Sequence, residues 1–452
     1  REGYGPNAAA LLKLKAEGAS LVITADCGAG AAEALAAARD AGLDVIVLDH
    51  HACVAAPPAC AFVDPNQAGD ASGLGHLAAA GVVFLFVTAL NRALRDAGRF
   101  KDGGEPDLLR GLDLAALATV CDVVPLTGVN RAFVRTGLKQ LSRCERPGIA
   151  ALAEVAGATP PFTAYHLGFV LGPRINAGGR VGRSSLGADL LTARDPQAAA
   201  EYAAALDTHN RERQALEKLI LDEAVAMAEE QADSPFLFVA GDGWHPGVVG
   251  IVAGRLKERF GKPAFVAGFE GGMGRGSARS VAGVDLGAMV RAAREAGVVD
   301  AGGGHAMAAG FSLQKSQAEA FRAFLAARFA EAKPTEMPPL AVEAVVSPAG
   351  ATPDLVREID KLGPFGAGNP EPLVAVPGVT VAYADVVGKD HVRLKLSGGG
   401  ARLDAIAFRI ADTELGRALL AARGRTVHVA GRLRLNGWNG RTTAQLHLED
   451  AA

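Results

Sequence analysis

Two short apolar runs, "SLVITAD" (20–26) and "LDVIVLDH" (43–50), flank the Ala-rich stretch "AAEALAAARDAG" (31–42). That arrangement leaves this part of the chain few folds. The runs are too short for helices and carry no polar alternation. The stretch between them is a good helix former that closes on Gly42. Together they predict a βαβ unit whose strands lie parallel in a sheet covered on both faces. One consequence concerns chemistry. Asp26 ends the first strand and His50 the second, so both fall at the carboxyl edge of one parallel sheet, where open α/β folds place their ligands.

The chain has 452 residues, too many for a single hydrophobic core. "GVVFLFVTALNRALRDAG" and "LDLAALATVCDVVPL" read as helices, and residues 196–231 as one long polar helix of the kind that bridges domains. A second, smaller α/β unit runs from "SPFLFVAG" to about Phe329, followed by the Pro-rich linker "EAKPTEMPPL" (331–340). The short alternating segments beyond it predict a small Greek-key barrel of OB type. The expected domains are therefore 1–195, 196–231 as a linker helix, 232–332 and 333–452.

Charge is unevenly spread. Between Lys389 and Arg441 eleven Lys/Arg stand against four Asp/Glu, a local +7; the whole chain sums to −3, so the rest carries −10. A basic module on an acidic body suits polyanion binding. No apolar run reaches transmembrane length, so a soluble protein with no membrane association is expected. The chain begins on Arg1 without a charged-then-apolar leader and reads as a fragment. Five cysteines without CxxC spacing, Cys27, Cys53, Cys60, Cys121 and Cys144, suit reduced thiols in the cytoplasm and argue against a disulfide framework or a zinc site. Cys27, beside Asp26, is read as packed and not as a nucleophile.

Asp122, in "LATVCDVVPL", follows an apolar helix and precedes a Pro turn that can return it to the rim holding Asp26 and His50. Carboxylates with imidazole, and no thiolate, favour Mn²⁺, Mg²⁺ or Fe²⁺. A divalent ion would compensate titratable groups at the end of a buried strand; a polar sheet edge, with Asp49 capping a turn, would also accommodate them.

"ITADCG", "LDHH" and "ATVCDVVPL", in this order, resemble motifs of the DHH phosphoesterase superfamily. "LGPRINAGGRVG", "GRGSARS", "GGGHAMAAGFSL" and "LGPFGAGNPEP" are similar to its single-strand-specific exonuclease branch. The resemblance spans nearly the whole chain and implies a parallel-sheet DHH domain, a DHH-associated domain and an OB-fold-like barrel. It makes Asp26 a carboxylate bridging two ions, Mn²⁺ or Mg²⁺, with His50 and Asp122 completing one shell. His51 would sit beside the phosphate, and Asp49 would orient the histidines. The family's first motif, an Asp-x-Asp cluster on an earlier strand, is not found in the sequence, which leaves the two-metal site partly missing.

Three further groups point to substrate. Gly302, Gly303 and Gly304 let backbone N–H groups approach a phosphate, while Ser277 and Arg279 add a hydroxyl and a guanidinium fork, and His305 contacts the phosphate or caps a turn. Arg174, Asn176, Arg180 and Arg183 crowd "PRINAGGRVGR". Arg432, Arg434, Trp438 and Arg441 surround "LRLNGWNGR", whose Asn-Gly reads as a hairpin suited to single-strand binding.

The resemblance implies a 5′-to-3′ exonuclease releasing mononucleotides from single-stranded DNA in repair and recombination. The family also suggests a monomer, with single-strand-binding protein and a RecQ-type helicase as partners. The alternatives are an oligonucleotide or cyclic-dinucleotide phosphodiesterase and a catalytically inert nucleic-acid-binding scaffold.

Overall fold

The computed structural model describes residues 5–53, 55–331, 339–438 and 440–452; the side chains of Val181 and Trp438 lie outside the description. The chain divides into two compact units. One holds residues 1–144, 160–168 and 339–452, the other 145–159 and 169–338. Among the described residues no helix is long and apolar enough to cross a membrane.

The first unit begins with helix α1 (Ala8–Ala16), strand β1 (Leu21–Ala25), helix α2 (Ala32–Asp40) and strands β2 (Asp44–Leu48) and β3 (Ala61–Val63). The three strands are parallel in the order β1-β2-β3. Leu11, Leu35, Ala38, Leu43, Val45 and Val47 form the core under α1 and α2. The expected βαβ unit is present, and α2 stops where Gly42 adopts φ +70°. Cover of the sheet is incomplete, contrary to expectation. β1 is an edge strand, and its alternate residues Leu21 and Ile23 remain 49% and 52% exposed.

Helices α3 (Ala79–Asp96), α4 (Leu112–Cys121) and α5 (Gly128–Leu141) follow. α4 and α5 approach so closely that a Cβ on Gly137 would lie 2.1 Å from the Leu112 carbonyl oxygen. Only glycine fits there, and the contact fixes the helix that ends at Asp122.

In the second unit, α6 (Pro147–Val155), α7 (Gly172–Val181) and α8 (Leu186–Thr192) pack on the first half of α9 (Pro196–Glu229). Ile220, Ala224 and Ala228, in its second half, join the core beneath β4 (Leu237–Asp242) and α10 (Pro246–Phe260). The long helix is thus the spine of one compact unit, and the boundary expected at residue 195 falls inside it. Next come β5 (Ala264–Glu270), β6 (Met273–Arg279), α11 (Leu286–Glu295), β7 (Ala301–His305), β8 (Ala308–Gln314) and α12 (Ala318–Glu331). The sheet order is β4-β5-β6-β8-β7. "GRGSARS" and "GGGH" are therefore strands, β6 and β7.

The C-terminal part belongs to the first unit. It comprises β9 (Ala344–Val345), α13 (Pro353–Asp360), β10 (Val374–Val387), β11 (His391–Gly398), β12 (Ala401–Ala407), α14 (Glu414–Ala421), β13 (Thr426–Trp438) and β14 (Arg441–Ala451). Strands pair in the circuit β10-β11-β12-β14-β13-β10, a closed five-stranded barrel of OB type. Alternate residues such as Val392, Leu394 and Leu396 fill it. "LGPFGAGNPEP" ties this part to the N-terminal helices. The Leu126 N–H donates to the Ala367 carbonyl at 2.6 Å. Arg131 donates to the carbonyls of Leu362 and Gly363. A Cβ on Gly368 would lie 2.8 Å from the Pro125 side chain.

Candidate active site

Strand register alone brings three carboxylates to one rim. Ala25 pairs with Leu48, and Leu48 with Val63, so Asp26, Asp49 and Asp64 each follow the last residue of a parallel strand. Asp49 is 1% exposed. Its Oδ2 accepts the Ala29 N–H at 2.9 Å, and its Oδ1 accepts the His50 N–H at 2.8 Å and lies 2.7 Å from His51 Nδ1. Burial pushes this carboxyl up, but the Ala29 N–H, the His51 ring and the His50 N–H outweigh it and hold the pKa below the ordinary range. Asp49 is a fixed anion that holds the His51 ring and the His50 backbone N–H.

His50 sits with Nδ1 2.9 Å from the Leu77 carbonyl, which makes Nδ1 the protonated nitrogen and aims Nε2 into the site. There Nε2 lies 3.2 Å from Asp26 and 3.6 Å from Asp122. The hydrogen bond to Asp26 raises the imidazole pKa to about 9, against burial and with help from the Asp122 charge. Asp122 caps the C-terminus of α4, where the helix dipole disfavours a carboxylate. Burial lifts its pKa and the His50 charge opposes that lift. The site thus calls for positive charge between two carboxylates, and a proton on His50 answers where a cation would. Ligand atoms of Asp26, His50 and His51 also lie within 4.8 Å of one another, so His51 joins the group able to hold an ion.

Backbone conformation adds a second signature. Asp26 has φ +63°, and Val123, next to Asp122, has φ +59°. For a β-branched residue this is a strained conformation that persists only where surrounding structure enforces it, and such residues gather at functional sites. The donor set of carboxylates and imidazoles, one Nδ1 already held by a carbonyl, fits Mn²⁺ or Mg²⁺. All five cysteines are free. The Cys27 thiol is pushed up by burial and by Asp49 and Asp26, the opposite of an activated nucleophile.

The second unit gathers another set. Ser277 and Gly303 both pair with Gly310, and Arg279 and His305 both pair with Ala308. These four residues therefore occupy two adjacent rows on one face of the sheet. Gly302 and Gly304 are explained by packing, since a Cβ there would lie 2.5 Å from Val290 or 2.4 Å from the Ala308 carbonyl oxygen. Gly303 is different: a Cβ on it would meet nothing within 4 Å. With β7 at the sheet edge, alternate N–H groups face away from β8. Arg279 donates to Ser277 Oγ at 2.8 Å and to the Ala278 carbonyl at 2.9 Å. Arg180 donates to the Gly247 carbonyl at 2.7 Å. Burial lowers both guanidinium pKa values, helped by Arg213 at Arg180 and by Arg180 at Arg279. The printed acceptors of these two cations are neutral, and the two repel each other.

Other expected substrate residues are placed differently. "PRINAGGRV" is helix α7 and not a loop. Asn176 is exposed on it, while Arg174 is committed to the buried Asp207 at 2.9 Å and to the Val170 carbonyl, tying α7 to α9. Asp207 needs this charge because it is only 4% exposed. In the barrel, Arg432 pairs with Glu449 and Arg434 with Glu371, so two of the hairpin's charges are neutralised. The Trp438 side chain lies outside the described residues. Exposed charge sits also on β11, at Arg393 and Lys395. Arg393 and Arg423 lie against the Tyr383 ring, 5.7 and 5.8 Å from its centroid. Sequence reasoning also missed β3, Asp64, the half-buried amide of Asn66 and the buried amide of Asn130; only the Asn66 turn in "VDPN" offered a local signal.

Fold and rim together define a DHH-family chain with an associated domain and an OB barrel. The DHH family N-terminal domain model matches residues 2–119, the DHHA1 domain 233–331 and the RecJ OB domain 342–450. Relatives narrow the class. The Bacillus subtilis single-stranded-DNA-specific exonuclease RecJ is 36% identical over 100% of this chain and 56% of its own length. The Escherichia coli protein of the same name is 35% identical over 99% of this chain and 80% of its own. A crystal structure of RecJ with Mn²⁺ from Thermus thermophilus superposes with TM-score 0.83 at 31% identity, covering 98% of this chain and 63% of that one. A second, with Mg²⁺, gives 0.72 at 28%, covering 98% and 69%. The chain belongs to the RecJ family. It spans little more than half of the Bacillus relative.

Proposed function

We propose that the protein is a divalent-metal-dependent exonuclease that hydrolyses single-stranded DNA from the 5′ end to mononucleotides. The observation that carries this reading is His50 Nε2 set between Asp26 and Asp122 at the carboxyl edge of the parallel sheet. The relatives' names supply the substrate class.

Asp26, His50 and Asp122 would hold Mn²⁺ or Mg²⁺. The ion supplies Lewis acidity for the scissile phosphate. The chain does the rest. Asp49 holds the His51 ring and the His50 backbone N–H, and His51, with Nδ1 on Asp49, presents Nε2 to a phosphate oxygen. Ser277, Arg279, Arg180 and the open backbone at Gly303 bind a phosphate, with His305 beside them. Asn176 offers an exposed amide, whereas Arg174 supports the scaffold. The barrel holds the strand. A monomer is proposed, with single-strand-binding protein and a RecQ-type helicase as partners on family grounds. The test is an assay of the full-length protein on a 5′-phosphorylated single strand, its duplex, and a dinucleotide. Chelation is expected to abolish cleavage, and Mn²⁺ to restore it on the single strand alone. Equal cleavage of the duplex, or preference for the dinucleotide, would replace this reading with that of a short-oligonucleotide phosphodiesterase.

Arg393→Gln with Lys395→Gln should reduce the magnitude of the log K against log salt slope by about 1.4, at about 0.7 per phosphate contact on single strands. Filter binding between 50 and 200 mM salt reads this directly. An unchanged slope would move the strand off β11.

A further inference from the structure

The geometry points to Asn130 as the positioning residue that sets the spacing between His50 and Asp122. This rests on the metal-site reading above and assigns a role to a residue outside the ligand set.

Asn130 is fully buried, in the first turn of α5. A side-chain amide has two N–H donors, and here both are used on different segments. One reaches the His76 carbonyl at 2.6 Å and the other the Pro125 carbonyl at 3.0 Å. The first acceptor is one peptide away from the Leu77 carbonyl that orients His50 through Nδ1. The second lies in the turn that begins at Asp122. A single rigid group therefore spans the support of the imidazole and the support of the carboxylate.

The turn needs holding. Val123 is in the left-handed region and 71% exposed, so its own side chain packs too little to enforce that conformation. Asn130 holds it from within, through the Pro125 carbonyl, alongside the Val123 N–H bonded to the Val120 carbonyl at 3.2 Å, the Leu126 N–H bonded to Ala367 and the Pro125 side chain packed at Gly368. α5 itself is anchored, because Gly137 lets it lie directly against α4. The amide is thus presented from a rigid element, as positioning requires. Without it the turn loses its tie to the segment that carries Leu77, and Asp122 is no longer held in register with His50. Groups that orient metal ligands from behind typically change affinity about 10- to 100-fold when altered.

The test compares Mn²⁺ binding to the full-length protein by calorimetry. Asn130→Asp keeps the shape and, as a carboxylate, cannot donate to either carbonyl; Asn130→Ser keeps at most one bond. Both are expected to lose about 10- to 100-fold in Mn²⁺ affinity, and the electron paramagnetic resonance signal of bound Mn²⁺ should broaden. Asn91→Ala is the control. Asn91 is 6% exposed and bonds Glu105, far along α3, so its loss should lower the melting temperature and leave Mn²⁺ affinity unchanged. Where a variant does not fold, the wild type answers: with ¹⁵N-Asn labelling, Mg²⁺ should shift the Asn130 side-chain amide more than that of Asn91. Wild-type affinity in the Asn130 variants overturns the proposal. So does equal affinity loss in Asn91→Ala, or no Asn130 shift. His50→Ala separates the two layers. If it binds Mn²⁺ as wild type does, the metal-site reading falls and the proposal with it. If it loses Mn²⁺ while the Asn130 variants keep it, only the role of Asn130 falls.

Discussion

His50→Ala is expected to abolish cleavage and to weaken Mn²⁺ binding by more than the roughly 100-fold that a mere supporting residue would cost. The imidazole contacts both Asp26 and Asp122, and removing it leaves two carboxylates near each other without that nitrogen between them. Repulsion then disfavours the doubly ionised state in the metal-free protein, so the residual site competes poorly for a cation. Single-strand binding is expected to survive, because Arg393 and Lys395 lie on a barrel with its own core. Calorimetry with Mn²⁺, filter binding and single-turnover cleavage read the three quantities separately. Wild-type turnover in the variant would remove His50 from the ligand set.

Sequence patterns expressed the local parts of this structure well. The βαβ unit was legible because buried parallel strands are uniformly apolar and Gly42 ends the helix. The barrel was legible because its strands alternate and Asn-Gly marks the last hairpin. Asp26, His50 and Asp122 could be gathered because strand ends and a helix end have predictable places. What failed depended on partners distant in sequence. Arg174 looks like a substrate contact until Asp207, on another helix, claims it. Arg432 and Arg434 look like free charge until Glu449 and Glu371 are brought alongside. Glycines in "GRGSARS" and "GGGH" look like a phosphate cradle alone, yet at Gly276, Gly302 and Gly304 neighbouring elements leave no room for a Cβ. Asn130 carried no signal, since an asparagine in a helix's first turn is ordinary until its two acceptors are known.

The last expected result concerns Arg279 and the phosphate-binding role proposed for it. Arg279→Ala is expected to lower kcat/KM on 5′-phosphorylated single strands by about 10- to 100-fold and to change little on 5′-hydroxyl strands. A charge-assisted hydrogen bond lost from a partly buried site costs about 1.5–3 kcal/mol, and each 1.4 kcal/mol is about tenfold. The Arg279 guanidinium is already aimed by Ser277 Oγ and the Ala278 carbonyl, so little ordering remains to offset the gain on binding a phosphate. Its repulsion with Arg180 is relieved by a dianion and less so by a neutral hydroxyl, which is why the difference should track the end group. Arg279→Lys should recover part of the loss, since charge returns without the planar fork. Arg180→Ala should show the same end-group preference, because it lowers the same local positive potential. Parallel assays on the two substrates, with KM and kcat resolved, test this. Equal losses on both ends would place Arg279 on an internal phosphate of the strand, and its role would then be holding the backbone and not anchoring the end.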